Sequence, residues 1–289
     1  MALKMTKVIK LLSPKVDIIF KLLFGDERSI EILVDFLKAV LTLPDDEFAE
    51  VMIVDPHLLR EYDGDKLGIL DVKVKTRTKK VIDIEIQVKI KPHFVERIVF
   101  YQSKMVTEQI GAGKDFSKIQ RVINIIITDE NIIVAYEGGE GKYHHRILPC
   151  DVDTGYQFTD IKEINILELK KLPKTDDGSN LWAWMKFLNA ESKEELDMLV
   201  AERPQTKIGK AVARLEELSK DEKAKMLYES RQMLEWDIKL GQDAARSEGS
   251  NVRAVEIATN LLRGGMSIAD VSAYTGISYT DAETLSKSI

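Results

Sequence analysis

The sequence has few of the residues and apolar runs on which several large protein classes depend. Cys150 is the single cysteine among 289 residues. It therefore excludes an internal disulfide framework and a cysteine-rich zinc site, and it fits a reducing compartment. Apolar runs are too short to span a bilayer, and Lys10 interrupts the apolar part of the basic start "MALKMTKVIKLLSPK". We therefore expect a cytoplasmic protein that has no membrane partner.

Three familiar catalytic patterns are missing as well. The segment "GGEGKY" is not a phosphate-binding loop, because Tyr136 and Tyr143 stand where that motif needs glycine and Ser/Thr. His144 and His145 are adjacent on a predicted strand, so they point to opposite faces and cannot easily share a metal. We expect two surface histidines there. Cys150 has no catalytic partner motif, and we expect a buried thiol.

Charge is unevenly distributed along the chain. Hydrophobic (44%) and charged (31%) fractions are those of a soluble globular protein, and the net charge of −6 argues against a general nucleic-acid coat protein. Residues 73–104 nevertheless hold nine Lys/Arg against three Asp/Glu, a local charge of +6. The run "KVKTRTKK" is typical of a solvated hairpin tip and also suits phosphate binding.

The hydrophobic pattern predicts a mixed α/β sheet with helices packed on it. Ser13 and Pro14 are expected to start a first helix, which a second helix follows. "GILDVKVKT" and "VIDIEIQVKI" predict an antiparallel hairpin that turns at "RTKK". A helix, the buried strand "RVINIIITD" and a second hairpin over residues 131–150 come next, and the later sequence is almost entirely helical.

The strand at residues 81–90 alternates strictly between polar and β-branched side chains. Pairing across the predicted hairpin brings Asp71 beside Glu85, and two carboxylates at that distance repel unless a cation lies between them. A hard divalent ion such as Mg²⁺ binds one or two carboxylates together with substrate phosphate oxygens. The pattern therefore permits a metal site, although the solvated outer face of an antiparallel sheet explains the same alternation.

Several ordered blocks of the sequence resemble one bacterial family. They are "SPKVDIIFKLLFG", "ILDVKVK", "IEIQVK", "ERIVFYQSKMVTEQIGAGKDFSKIQRVINIIITD", "ILELKKL", "WAWMKFL", "DIKLGQDAARSEG" and "IADVSAYTGIS". Together they are similar to the recombination-promoting nuclease (Rpn) and transposase family of the PD-(D/E)xK nuclease superfamily. The resemblance runs nearly end to end. It implies an α/β fold of the restriction-endonuclease-like type, with a mixed sheet flanked by helices and a helical C-terminal region.

The resemblance also implies roles for individual residues. Asp71 and Glu85 would hold the metal, Mg²⁺ or alternatively Mn²⁺, with the carbonyl of Ile86, and Asp17 would add a remote contact. The superfamily's lysine, which orients the attacking water, falls on Gln87. Gln87 can donate and accept hydrogen bonds but carries no charge. Charge stabilisation is then left to the metal and to Lys89, which follows on the same strand face.

The implied reaction is the attack of a metal-activated water on a DNA phosphodiester. Arg97 and Tyr101 lie one turn apart on a predicted helix, where they would contact phosphate or, alternatively, pack the helix on the sheet. The basic residues expected to follow the DNA backbone without sequence preference are Lys73, Lys75, Arg77, Lys79 and Lys80.

We expect three regions: a nuclease-like α/β domain (residues 1–175), a helical region (176–250) and a helix-turn-helix-like segment (251–289). The last has the spacing of such a motif, with Val271, a turn at Gly276 and Ser278 as N-cap. Its second helix presents Asp281 and Glu283 where a DNA-reading helix offers basic or amide side chains. We therefore expect packing or self-association through these helices, giving a homo-oligomer, rather than sequence-specific DNA binding.

The function predicted from the sequence is that of a metal-dependent DNA endonuclease. A role in recombination or mobile-element biology is implied by the family resemblance alone. Gln87 and the acidic overall balance keep open a nuclease-fold protein that no longer cuts and binds DNA or protein instead. A transposase that catalyses strand transfer would share the same acidic site.

Overall fold

A computed structural model describes residues 11–58, 69–111, 113, 115–133 and 141–289. It divides into two compact units, of which the first ends at Tyr228 and the second covers Glu229–Ile289. The predicted division at residues 175/176 differs from this, because the helices that follow residue 175 share the core of the first unit. No described helix combines the length and the apolar character that crossing a membrane requires.

A mixed sheet forms the centre of the first unit. In the described residues its strands are β1 (Met52–Val54), β2 (Val72–Lys75), β3 (Val81–Gln87), β4 (Val122–Thr128), β5 (His144–Ile147) and β6 (Lys162–Glu168). Their order across the sheet is β1-β2-β3-β4-β6-β5. Strands β3, β4 and β6 are parallel, whereas β1, β2 and β5 pair antiparallel to their neighbours. The mixed sheet flanked by helices that we expected is confirmed.

Helices cover both faces of the sheet. The described helices of the first unit are α1 (Asp17–Phe24), α2 (Ile30–Val40), α3 (Phe94–Thr107), α4 (Asn180–Asn189), α5 (Lys193–Glu202) and α6 (Ile208–Leu218). One core cluster joins side chains of α1, α2, α4, α5 and α6 to the inner isoleucines of β3 and β4. Helix α3 packs on the opposite face through Phe94, Ile98 and Met105. The polar face of β3 therefore lies under a helix rather than in solvent.

The sequence pattern explains the central strands well. Every residue of β4 is buried, as a parallel strand covered on both faces requires. The hairpin β2–β3 has the expected antiparallel pairing, with Val72 opposite Ile84. Its turn places Lys79 in the left-handed region at φ 66°.

Three local predictions were wrong. Helix α1 begins at Asp17 after Val16, because residues 13–16 form a turn and no side chain caps the helix. Strand β5 pairs with β6, and the second hairpin predicted over residues 131–150 stays a prediction, because residues 134–140 lie outside the described residues. His145 is buried against Glu168 because β5 is covered on that face, whereas Cys150 is exposed.

The second unit contains the C-terminal helices. Helix α7 (Glu222–Arg263) enters it and is followed by α8 (Ile268–Thr275) and α9 (Tyr279–Ser288). Gly276 adopts φ 74° between α8 and α9, and the Ser278 side chain accepts a hydrogen bond from the N–H of Asp281. Val271 and Ala282 are buried together with Ala258. The turn, the cap and the core predicted for this segment agree with the structure.

Glu47 ties the segment before β1 to the tip of the β2–β3 hairpin. Its carboxylate accepts hydrogen bonds from the hydroxyls of Thr76 and Thr78 at 2.8 Å and from the ammonium of Lys80 at 2.6 Å. Burial raises the pKa of the Glu47 carboxyl, but these hydrogen bonds outweigh it and lower the pKa to about 2. The carboxylate thus stabilises the folded hairpin in its charged form.

Replacing Glu47 with Gln should therefore lower the free energy of unfolding by about 2 kcal/mol at pH 7. A depressed folded-state pKa contributes stability that is present above the unfolded value of 4.5 and is lost as the pH falls toward 2. Urea unfolding of the wild type and the variant at pH 7 and pH 3 measures this effect. The difference in their free energies of unfolding should be about half as large at pH 3 as at pH 7. Glu50→Gln, at an exposed carboxyl, is the control. An equal difference at both pH values would contradict the charge-based explanation.

Candidate active site

The two carboxylates predicted to be neighbours do lie together at the ends of β2 and β3. The antiparallel register that pairs Val72 with Ile84 continues to place Asp71 opposite Glu85. Oδ2 of Asp71 accepts a hydrogen bond from the backbone N–H of Ile86 at 3.1 Å. This bond fixes the Asp71 carboxyl against the strand segment that carries Glu85.

Helix α3 and the surrounding charges set the electrostatics of Glu85. Burial raises the pKa of the Glu85 carboxyl to about 7, and the negative charge of Asp71 adds to the increase. The guanidinium of Arg97 and the ammonium of Lys21 act in the opposite direction. Two acidic groups are thus held close together in a partly desolvated position, where a bound cation would stabilise their charged forms.

Lys21 is the residue of this site that the sequence reasoning missed. Its ammonium lies 2.9 Å from Oδ1 of Asp71. Asp17 is one turn earlier on α1, and its carboxylate accepts from the N–H of Ile18 at 2.8 Å. The four-residue spacing of Asp17 and Lys21 within "DIIFK" was the available signal, because it places both side chains on one face of the helix.

Gln87 and Lys89 do not lie on the same face of one strand, as we had expected. Strand β3 ends at Gln87, which pairs in register with Thr128 of β4. Lys89 lies in an exposed bend beyond the strand. The prediction that Lys89 follows on the same strand face was therefore wrong, because β3 ends two residues before it.

Arg97 and Tyr101 have different environments on α3. The positive charge of Arg97 lowers the pKa of the Glu85 carboxyl. The Tyr101 ring lies 5.9 Å from the Arg97 guanidinium and packs against the cluster that contains Val81 and Met105. Of the two alternatives left open by the sequence, packing describes Tyr101, whereas Arg97 remains a candidate for phosphate contact.

The five basic residues of the hairpin do not form one exposed strip. Lys75 is half-buried and Lys79 is exposed at the turn, but the other three are in ion pairs within the fold. These pairs are Lys73 with Glu108 at 3.3 Å, Arg77 with Asp46 at 2.6 Å and Lys80 with Glu47 at 2.6 Å. The side chain of Lys73 is buried, which contradicts the expectation that it follows a DNA backbone.

A second polar pair lies deeper under α3. Asp83 is 1% exposed, and its Oδ2 accepts a hydrogen bond from the amide of Asn124 at 2.9 Å. Burial and the nearby charge of Glu85 raise the pKa of Asp83 well above its usual value. Asp83 therefore extends the polar row of β3 into the interior, where the sequence pattern predicted an outward-facing side chain.

The donor set at the acidic pair suits a hard divalent ion. The carboxylates of Asp71 and Glu85 and the carbonyl of Ile86 offer oxygen ligands, and Mg²⁺ typically binds through one or two carboxylates while keeping several waters. Within the described ranges, this site included, no group of three or more His, Cys, Asp or Glu side chains is gathered as a metal site, so the side-chain ligands here are the two carboxylates. Asp71, Glu85 and Ile86 are thus the candidate ligands, and Asp17 remains a prediction.

Glu85→Gln should make the metal-free protein more stable at pH 8, by about 1–2 kcal/mol, because the amide removes the repulsion with Asp71 and the burial of a charge. With a folded-state pKa raised to about 7, the cost of the charged carboxyl is absent below pH 4.5 and complete above pH 7. Thermal unfolding of the wild type and the variant in the presence of a metal chelator measures this difference in stability.

Adding Mn²⁺ should then raise the melting temperature of the wild type and leave that of the variant unchanged. Glu96→Gln, at an exposed carboxyl on α3, serves as the matched control. A metal-free Glu85→Gln protein that is no more stable than the wild type would contradict the electrostatic account.

A comparison with known protein families matches most of the chain. The family described as PD-(D/E)XK nuclease family transposase matches residues 14–245. The match includes the acidic pair, Lys21 of α1 and Arg97 of α3. The chain shows no match among the curated proteins or the solved structures. Nucleases of this kind generally use divalent metals and act on DNA, which fits the donor set described above. The chain belongs to the PD-(D/E)XK nuclease family transposases.

Proposed function

We propose that the protein is a divalent-metal-dependent endonuclease that hydrolyses phosphodiester bonds of DNA. The observation that carries this proposal is the pairing of Asp71 with Glu85, held by the hydrogen bond from Ile86, in a chain of this family. Mg²⁺ is the proposed cofactor and Mn²⁺ the alternative. The recombination or mobile-element role is part of the proposal and rests on the family alone.

Asp71, Glu85 and the Ile86 carbonyl are the proposed ligands. An ion bound there would lower the pKa of the attacking water and offset the charge that develops on the phosphate. The water oxygen forms a bond to phosphorus and loses a proton to solvent, while one ester P–O bond breaks and the departing oxygen takes up a proton from solvent. Gln87 would orient the water or a phosphate oxygen through its amide, and Arg97 would contact the phosphate with its guanidinium.

DNA contact away from the scissile bond is proposed for the exposed part of the hairpin. Lys79 and Arg77 are exposed, and Lys75 is half-buried on β2. Arg77 can exchange its partner Asp46 for a phosphate because both side chains reach solvent. Binding through such contacts is independent of sequence and should weaken steeply with salt.

Self-association through the C-terminal helices also remains a proposal. Within the second unit, α7 exposes large apolar side chains that include Met233, Trp236 and Leu240. Apolar surface of this kind is typical of helices that pack against a partner. We place the protein in the cytoplasm, as its cysteine content suggests.

A nuclease-fold protein that binds without cutting is the second candidate. Two observations favour it: Gln87 replaces the charged residue of the superfamily motif, and the ammonium of Lys21 already neutralises Asp71. In that case the acidic pair would be a structural feature and DNA binding would need no metal.

Plasmid nicking with Mg²⁺ or Mn²⁺ separates the two candidates. Wild-type protein should convert supercoiled plasmid to nicked and linear forms, and Asp71→Asn and Glu85→Gln should each lower the rate by at least about 100-fold because a metal ligand is lost. DNA affinity without metal should change little in these variants.

Glu96→Gln is again the control and should cut like the wild type. Cutting that survives both ligand substitutions would remove the acidic pair from the mechanism. DNA binding without any metal-dependent nicking by the wild type would favour the binding module.

A further inference from the structure

We infer that Lys21 is a catalytic residue of this nuclease: its ammonium, delivered by helix α1, acts on the scissile phosphate in place of the strand lysine for which this chain has Gln87. The inference rests on the proposed function. Helix α1 would thus supply the positive charge that β3 lacks at Gln87.

The position of Lys21 is the first argument. Its ammonium is 2.9 Å from Oδ1 of Asp71, and its positive charge lowers the pKa of the neighbouring Glu85 carboxyl. The side chain remains 34% exposed. A substrate phosphate that reaches the acidic pair from solvent can therefore also reach this ammonium.

The rigidity of α1 is the second argument. Ile19, Phe20, Leu23 and Phe24 are fully buried in the main core, which fixes the helix against the sheet. Gly25 ends the helix where a side chain would not fit, since a Cβ there would lie 2.7 Å from the carbonyl oxygen of Lys21. Catalytic groups on such supported elements are positioned more accurately than groups on loops.

The other cations near the motif are the third argument. Lys89 lies beyond the end of β3, and Lys73 is buried in its pair with Glu108. Arg97 belongs to α3, which packs on the other face of the sheet from the helix that carries Lys21. Among the described lysines, Lys21 is thus the one whose ammonium contacts the acidic pair.

The proposed action needs no proton transfer by Lys21. The ammonium keeps its proton and exchanges its ion pair with Asp71 for a hydrogen bond to a non-bridging oxygen of the phosphate or to the attacking water. A charged donor aimed at developing negative charge stabilises the transition state more than the ground state. Loss of one such donor typically lowers the rate by about 10²–10³-fold.

The test compares Lys21→Met with the wild type, with Lys38→Met and with the double variant Lys21→Met/Gln87→Lys. Methionine keeps the length and the apolar stem of lysine and removes the charge. Lys38 is a matched control, since it is also a helix lysine in an ion pair, 2.9 Å from Asp45. The measurements are the single-turnover plasmid nicking rate, Mn²⁺ affinity without DNA by calorimetry, and the melting temperature.

We expect Lys21→Met to cut about 100-fold more slowly than the wild type and to bind Mn²⁺ at least as tightly, because a competing cation is gone. The double variant should recover at least tenfold of the rate, and Lys38→Met should cut normally. A Lys21→Met rate within threefold of the wild type would overturn the inference, as would no recovery in the double variant.

Two more results would each count against a catalytic Lys21. A slow Lys21→Met protein whose Mn²⁺ affinity has fallen more than tenfold would show that Lys21 only holds Asp71 in place, which overturns the inference and leaves the nuclease intact. A wild type that cuts under no condition would overturn the proposed function, and with it a catalytic role for Lys21.

Discussion

The arrangement of this site depends on the free-energy cost of burying carboxylates beneath a helix. Asp83 and Glu85 project from the face of β3 that α3 covers. Partial burial of an unpaired carboxylate costs several kcal/mol, a large part of the roughly 5–15 kcal/mol by which a typical domain is stable. The amide of Asn124 and the charges of Arg97 and Lys21 offset this cost. Arg97 and Lys21 therefore have two effects: they offset the cost of burying the carboxylates, and they surround the acidic pair with positive charge.

Much of the hairpin followed from the sequence alone. Period-two alternation predicted β3 and its antiparallel partner, and cross-strand pairing predicted that Asp71 would lie beside Glu85. The sequence did not predict that α3 covers the polar face of β3, because polar and apolar residues alternate in the same way whether that face contacts water or a helix. The burial of Asp83 depends on Phe94 and Ile98, which are brought onto the sheet by tertiary packing. The end of β3 at Gln87 was missed for a similar reason, since residues 88–90 continue the pattern after the ladder has stopped.

Charge was the least predictable property because its partners are distant in the chain. Lys73 and Lys80 belong to a basic run, yet they pair with Glu108 and Glu47, 35 and 33 residues away in sequence. Counting charge in a local window therefore overestimated the positive potential of the hairpin. The converse error concerned Lys21, which lies in a mainly apolar helix far from the motif and still contacts Asp71. Short-range patterns specified the backbone of the site, and long-range contacts specified its electrostatics.

The two carboxylates of the proposed site and the cations around them come from different elements of the fold, and this separation has a consequence for the site. A lysine on the motif strand would have its distance from the acid set by strand geometry, whereas Lys21 and Arg97 come from helices on the two sides of the sheet. Their positions depend on how α1 and α3 pack, so substitutions at core residues such as Phe20 or Ile98 would alter the charges around Glu85 without changing a proposed ligand. The backbone of this site can therefore be predicted from the sequences of its strands. The charges around its carboxylates depend instead on how two helices pack against those strands.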